Sequence, residues 1–199
     1  MSRGDETREH ILRQAAGVFN RLGYAGASVS DLEEATGLRT GGIYRHFPGG
    51  KEALALEAFR YAVHHFDERF EAAAATPGDA IARLNAVVAV YRRHAVEPPV
   101  PGGCPVMNAA IEHDAGGSAE LRRQARRAMD RWRGIVRTIV ADGQARREIR
   151  KDAAPETVAS MVLATMEGAI MLAGLYRDPA HVERAAEQLS HYLEGALRS

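Results

Sequence analysis

Residues 28–47 constrain this chain most, because they fit two short helices joined by one tight turn. Val29, Leu32 and Ala35 have the spacing of an apolar stripe along a first helix. Gly37 follows at the position where a residue in the left-handed conformation would end that helix. The segment therefore predicts a first helix that stops sharply and a second helix that begins directly after the turn.

The residues at both ends of this segment support the same interpretation. Ser28 stands in an N-cap position, and Asp31 lies three residues further on, as in a capping box with the shorter acid. Ile43 and Phe47 are four residues apart and would form the buried side of the second helix. Two packed helices joined by a glycine turn are the arrangement in which the second helix enters the major groove of DNA.

The outer positions of the second helix combine small residues with hydrogen-bond donors. They are Arg39, Thr40, Gly41, Gly42, Tyr44, Arg45 and His46. Each glycine costs about 1 kcal/mol relative to alanine within a helix, which a close approach of the backbone to DNA would explain. Arg39, Arg45 and Lys51 are basic, and no acid lies between residues 39 and 51. The alternative is an ordinary helical hairpin with a solvated second helix.

Composition limits the classes of protein that the chain can represent. Its 199 residues are 46% hydrophobic, which is enough for a packed core. Lys+Arg and Asp+Glu both number 26, so any affinity for nucleic acid must come from a local patch. The single cysteine, Cys104, excludes an intrachain disulfide and indicates a reducing compartment, the cytoplasm. Residues 1–10 lack the apolar stretch of a signal peptide.

The remaining signals predict an all-α protein with about nine helices and no sheet. The first helix would begin with Thr7 as its cap and end at Gly23, and Arg3 and Arg8 would lie on an arm that reaches DNA. Residues 158–176 approach the length of a membrane span, but the carboxylate of Glu167 lies at their centre. We therefore expect a helix buried in a core or an interface, and no membrane partner.

Residues 7–56 resemble the DNA-binding domain of the TetR family of bacterial transcriptional regulators. The resemblance rests on the run TREHIL, GY, SV.DL, ATG and GGIYRHFPGGKEAL, in this order and spacing. It implies a three-helix DNA-binding domain over 1–52 and an all-helical ligand-binding and dimerisation domain over 53–199. It further implies a homodimeric repressor that a small, mostly apolar or electrophilic inducer releases from a pseudo-palindromic double-stranded operator, without a cofactor or metal.

The family pattern also implies which residues touch DNA. Thr40, Gly41, Gly42 and Arg45 would face the base edges, and Ser28, Tyr44, His46 and Lys51 would contact phosphates. Many members have a lysine in place of Thr40 and a threonine in place of Gly42. Because this chain therefore has fewer side-chain donors in the groove, Arg45 and Arg39 become the expected readers of guanine.

The helical body offers candidates for the inducer site and for the dimer interface, and for each residue the alternative is ordinary core packing. Inducer sites in such bodies are mostly apolar with a few polar groups. The candidate ligand-binding residues are Tyr91, Cys104, Met107, Asn108, Ile111, Trp132, Met166, Glu167 and Ile170. The candidate dimer-interface residues, on the last two helices, are Val158, Met161, Val162, Thr165, Ala169, Leu172, Leu189, Tyr192 and Leu193.

Two residues in the body suggest more specific chemistry. Glu167, inside an apolar helix, needs a partner, which would be an arginine or a cationic ligand. Cys104 precedes Pro105 at a helix start, where the dipole favours the thiolate and permits electrophile sensing; the alternative is a small buried side chain.

Two other classes of function stay open at the level of sequence. One is a ligand- or thiol-binding protein or enzyme that uses Cys104 with His113 as a nucleophile pair and does not bind DNA. The other is a helical adaptor. The chain contains no HExxH, GxSxG or P-loop pattern, so we expect no enzyme of those classes.

Overall fold

A computed structural model describes residues 3–112 and 118–199 of the chain, with the side chain of Arg3 outside the described part. These residues form nine α-helices and no strand, which confirms the all-α prediction. The helices are α1 (Arg3–Gly26), α2 (Val29–Thr36), α3 (Thr40–Tyr44), α4 (Gly50–Ala74), α5 (Ala80–Val96), α6 (Pro105–Ile111), α7 (Ala119–Ala145), α8 (Pro155–Tyr176) and α9 (Ala180–Tyr192), followed by a π-helical turn over Leu193–Leu197.

Most predicted helix ends agree with the structure, and two differ. Asp79 caps α5, since its Oδ1 accepts a hydrogen bond of 2.8 Å from the N–H of Ala82, and Pro105 occupies the first turn of α6. The prediction that Thr7 caps the first helix is wrong, because α1 already begins at Arg3. The predicted arm residue Arg3 and the predicted nucleophile partner His113 fall outside the described side chains.

The prediction that the first helix ends at Gly23 is wrong, because α1 continues to Gly26 with a kink at Gly23. The φ of 74° and ψ of 167° of Gly23 are not helical, and the backbone resumes a helical course up to Gly26. Residues with a side chain rarely adopt such a positive φ, so glycine suits this kink.

The described residues divide into two compact units. The first takes its residues from 1–65 and 99–127, and the second from 66–98 and 128–199. The predicted boundary between residues 52 and 53 separates a DNA-binding domain from a ligand-binding and dimerisation domain, and it stays a prediction.

The first unit packs α1, α2 and α3 around one apolar core. Leu32 and Ile43 are fully buried and Phe47 is 1% exposed, as the two predicted stripes require. Val29 was expected in the same stripe but is 38% exposed, because it is the first residue of α2 and no earlier turn covers it. The core of this unit consists of Ile11, Ala15, Ala16, Val18, Ala27, Leu32, Ile43, Phe47, Leu54, Ala58, Ala62 and Val100.

The second unit has an aromatic centre. The rings of Phe70 and Trp132 stack with centroids 5.2 Å apart, Phe66 lies 5.2 Å from Trp132, and Tyr91 meets Phe70 edge-on at 5.8 Å. In the same unit α9 packs against α5 and α8. By length and composition alone, α8 could cross a membrane, and 44% of its most apolar 18-residue stretch is buried inside the chain.

Candidate nucleic-acid interface

Helix α2 begins and ends as the sequence predicted. The Asp31 N–H donates to Ser28 Oγ at 3.1 Å, and the Asp31 carboxylate accepts from the Ser28 N–H at 2.7 Å, so the capping box is complete. Hydrogen bonds from the side chain and backbone of Ser28 hold the pKa of the Asp31 carboxyl below its usual value. Gly37 ends the helix in the left-handed conformation, with φ 69° and ψ 14°. Ser28 and Gly37 therefore fix the two ends of α2, and the turn at Gly37 fixes where α3 starts.

Glu33 of α2 caps the N-terminus of α3, a role that the sequence analysis missed. Its Oε1 accepts hydrogen bonds of 2.6 Å from both the N–H and the hydroxyl of Thr40, and Arg39 Nη1 lies 3.7 Å from its Oε2. The bond from the Thr40 hydroxyl and then that from its N–H lower the pKa of the Glu33 carboxyl. The side-chain donor of Thr40, a predicted base contact, is therefore already engaged within the chain.

Gly41 and Gly42 have no packing reason to be glycine among the described residues. A Cβ added to Gly41 would meet nothing within 4 Å, and one added to Gly42 would meet only Leu38 Cβ at 3.6 Å, an ordinary contact. Neither residue has a positive φ. Alanine would therefore fit at both positions without a steric conflict in the described part of the chain.

Tyr44 and His46 lie at the C-terminal end of the predicted DNA-binding surface, and both are half-buried. The Tyr44 hydroxyl and His46 Nε2 have no hydrogen-bond partner within the described part of the chain and are shielded from solvent. Burial raises the pKa of the Tyr44 hydroxyl, with a smaller effect from Tyr24. Both residues stay predicted phosphate contacts, and each must turn outward to make one.

The cations of the predicted DNA-binding surface differ in how they are held. The Arg39 side chain is 94% exposed, and Arg45 is exposed at the C-terminal cap of α3. Lys51, in the first turn of α4, places its Nζ 4.7 Å from the centroid of the Tyr24 ring. Arg45 can therefore reach a groove freely, whereas Lys51 is already positioned by an aromatic face.

The predicted ligand-binding residues on α6 and in the preceding loop belong to the first unit. Cys104 is fully buried, Met107 is half-buried and Ile111 is 67% exposed. Asn108 serves the fold, since its amide donates to the carbonyl of Asn20 at 2.9 Å and to that of Gly102 at 2.7 Å. A small cavity of about 40 Å³ lies in this unit. Its lining includes Asn108 together with Phe19, Asn20, Tyr24, Phe59 and Glu112.

The other predicted ligand-binding residues lie in the second unit. Trp132 Nε1 donates to Asp67 Oδ1 at 2.7 Å, and the Tyr91 hydroxyl donates to Glu167 Oε1 at 3.1 Å. Met166 is fully buried and Ile170 is 5% exposed. Glu167 thus contacts a tyrosine hydroxyl, whereas the sequence led us to expect an arginine or a cationic ligand.

The predicted dimer-interface residues separate into a buried and an accessible group. Met161, Thr165 and Leu172 are half-buried, and Tyr192 is 39% exposed. The buried group, with 0–4% exposure, consists of Val158, Val162, Ala169, Leu189 and Leu193. The most exposed apolar side chains of α8 are ones that the prediction did not include, namely Met171, Leu175 and Tyr176, at 47%, 71% and 63%.

Known proteins share this architecture over the whole chain. The family description "Bacterial regulatory proteins, tetR family" matches residues 11–58, and "Tetracyclin repressor-like, C-terminal domain" matches residues 80–189. An uncharacterised HTH-type transcriptional regulator of Mycobacterium tuberculosis is 30% identical over 197 residues, covering 96% of this chain and 95% of the relative. The HTH-type transcriptional repressor DhaR of Mycobacterium sp. (strain GP1) is 25% identical over 94% of this chain and 88% of its own.

A solved structure gives the same result. The crystal structure of a TetR transcriptional regulator from Chloroflexus aurantiacus superposes with a TM-score of 0.92 at 43% identity, covering 100% of this chain and 99% of that one. The resemblance drawn from residues 7–56 is therefore confirmed and extends to the C-terminal helices. This chain belongs to the TetR family of bacterial regulatory proteins and is a DNA-binding transcriptional regulator.

Proposed function

We propose that the chain is a cytoplasmic homodimeric repressor that binds a pseudo-palindromic operator and is released from it by a small inducer. The observation that carries the DNA-binding part is the open space around Gly41 beside the exposed Arg39 and Arg45. A backbone without Cβ atoms can approach base edges closely, and an arginine fork can bind guanine O6 and N7. The reading residues are Arg39 and Arg45, with Ser28 and Lys51 on phosphates.

Dimerisation through α8 and α9 is supported by the apolar surface that one chain leaves uncovered. Met171 and Leu175 are four residues apart on α8 and are both exposed, as is Tyr192 at the end of α9. Ala164 and Gly168 lie seven and three residues before Met171 on α8 and continue this stripe, and small residues allow two helices to approach closely. A second copy would also supply the second reading helix, because one three-helix module buries too little surface for tight specific binding.

The inducer part of the proposal is supported by polar groups inside apolar surroundings. The pairs Tyr91–Glu167 and Trp132–Asp67 place two carboxylates beside the aromatic centre of the second unit. Such a mostly apolar environment with a few polar groups is typical of small-molecule sites. An electrophilic inducer would instead have to reach Cys104, which is fully buried, so that route requires a movement of α6.

The test is fluorescence anisotropy with a duplex that the wild-type protein enriches from the DNA upstream of its own gene. We expect binding that weakens as salt rises, because phosphate contacts release counterions. Sedimentation velocity should show a dimer, and Arg45→Gln should weaken binding without changing sedimentation. Binding to no duplex, or binding that is insensitive to salt, would favour the adaptor function instead.

A further inference from the structure

The kink in α1 directs two backbone N–H groups at one carboxylate. Beyond Gly23, the N–H of Tyr24 donates to Glu112 Oε2 at 2.8 Å, and the N–H of Ala25 donates to Glu112 Oε1 at 2.5 Å. A Cβ on Gly23 would stand 2.9 Å from the Glu112 carboxylate, so glycine is required for this contact as well as for the positive φ. We call this pair of hydrogen bonds the Glu112 clasp.

The Glu112 clasp is anchored on both sides. The Asn108 amide, on α6 one turn before Glu112, donates to the carbonyl and to Oδ1 of Asn20, both at 2.9 Å. The Asn20 amide in turn donates to the carbonyls of Pro101 and Gly103, at 3.0 and 2.9 Å. The end of α1 and the loop before α6 are therefore held together independently of Glu112. This leaves the clasp to fix only the segment after the kink.

The residue fixed by the clasp carries a predicted DNA contact. The Tyr24 ring lies under Lys51 Nζ, at 4.7 Å, and stacks on Phe19 with centroids 6.4 Å apart. A cation over an aromatic face is attracted by the ring quadrupole, and the attraction depends on where the ring stands. Glu112 thus acts on Lys51 through the backbone and ring of Tyr24, without touching Lys51.

We propose that Glu112 is a positioning residue for DNA binding, which holds Tyr24 in place so that its ring presents Lys51 to an operator phosphate. The inference rests on the phosphate contact of Lys51 in the proposed function. Two charge-assisted hydrogen bonds accepted by one carboxylate give a fixed orientation that a single neutral bond does not. Without the clasp, Lys51 keeps its charge but no longer has a fixed platform.

The test measures operator affinity and its salt dependence in Glu112→Ala and Glu112→Gln. We expect Glu112→Ala to weaken binding about tenfold and to lower the slope of log affinity against log salt by about 0.9 for each phosphate that Lys51 no longer neutralises. Glu112→Gln keeps one acceptor and should give a smaller reduction in affinity. Glu71→Ala removes an exposed carboxylate of α4 and serves as the control, with unchanged affinity. Circular dichroism and thermal unfolding identify any variant that fails to fold.

A double-mutant cycle separates positioning from general support of the fold. Glu112→Gln and Lys51→Gln should be non-additive, because Lys51→Gln removes the ammonium group that the clasp positions. Glu112→Gln and Arg45→Gln should be additive. An additive result with Lys51→Gln, or an unchanged salt slope in both Glu112 variants, overturns the inference. Failure of the wild-type protein to bind any duplex would instead overturn the proposed function.

Discussion

Replacing Gly41 with alanine should make the protein more stable and a poorer binder of DNA. An added Cβ at this position meets nothing within 4 Å, and φ is not positive, so the folded chain accommodates it without strain. The unfolded chain loses conformational freedom, so the free energy of unfolding should rise by about 0.4–1 kcal/mol. Urea unfolding followed by circular dichroism measures this gain.

The same methyl group should weaken operator binding. If α3 lies against base edges, the new Cβ enters a closely packed interface, where an extra methyl typically costs about 1–3 kcal/mol. That corresponds to about 5- to 150-fold in affinity for each subunit. Gly42→Ala should behave similarly, because its Cβ meets only Leu38 at 3.6 Å.

Gly134→Ala provides the matched control for this pair of measurements. Gly134 lies within α7 and also has nothing within 4 Å of an added Cβ. The variant should gain about 1 kcal/mol of stability and bind DNA as the wild type does. A Gly41→Ala variant that is more stable yet binds the operator with wild-type affinity would refute the argument that the Gly41 side of α3 approaches DNA.

Three further predictions concern the helical body. Asp79→Ala should lower the free energy of unfolding by about 1 kcal/mol. Hydrogen bonds from the Ala82 N–H and then from Arg198 lower the pKa of Asp79 in the folded chain. The ionised carboxylate therefore stabilises the fold fully above its unfolded pKa, and this stabilisation is lost as pH falls through the folded pKa. Asp79→Asn should flatten the acid limb of a curve of stability against pH. Trp132→Phe should cost about 1–3 kcal/mol in urea unfolding, because Asp67 Oδ1 loses its 2.7 Å donor; no change in stability would show that Arg131 alone satisfies Asp67. Leu175→Glu should convert the dimer to a monomer in sedimentation velocity, whereas Val96→Glu, at a similarly exposed site, should leave it intact.

Local chemistry in the sequence predicted the fold well where the determinants lie within a few residues of one another. Ser28, Asp31 and Gly37 set the ends of α2, and Ile43 and Phe47 are buried as their spacing required. Each of these features depends on backbone hydrogen bonds or on helical periodicity, which are properties of a short segment.

Features that join distant residues were not predictable in this way. The carboxylate of Glu33 caps α3 by binding Thr40, seven residues further on. Glu112 binds N–H groups 87 and 88 residues earlier in the chain. Periodicity likewise predicted an apolar face on α8, but it did not predict which helices cover that face. Val158, Val162 and Ala169 are buried inside their own unit. Which of several apolar sides of α8 is covered depends on the helices beside it, not on its own sequence.

The cap that Glu33 places on α3 has a consequence for how the regulator searches a chromosome. The N-terminus of a helix attracts any phosphate, whatever the sequence of the duplex. In this chain an internal carboxylate already occupies that end, and its negative charge repels the sugar-phosphate chain. If α3 enters the groove as proposed, we expect weaker adhesion to random DNA, so that more of the residence time on an operator depends on Arg39 and Arg45.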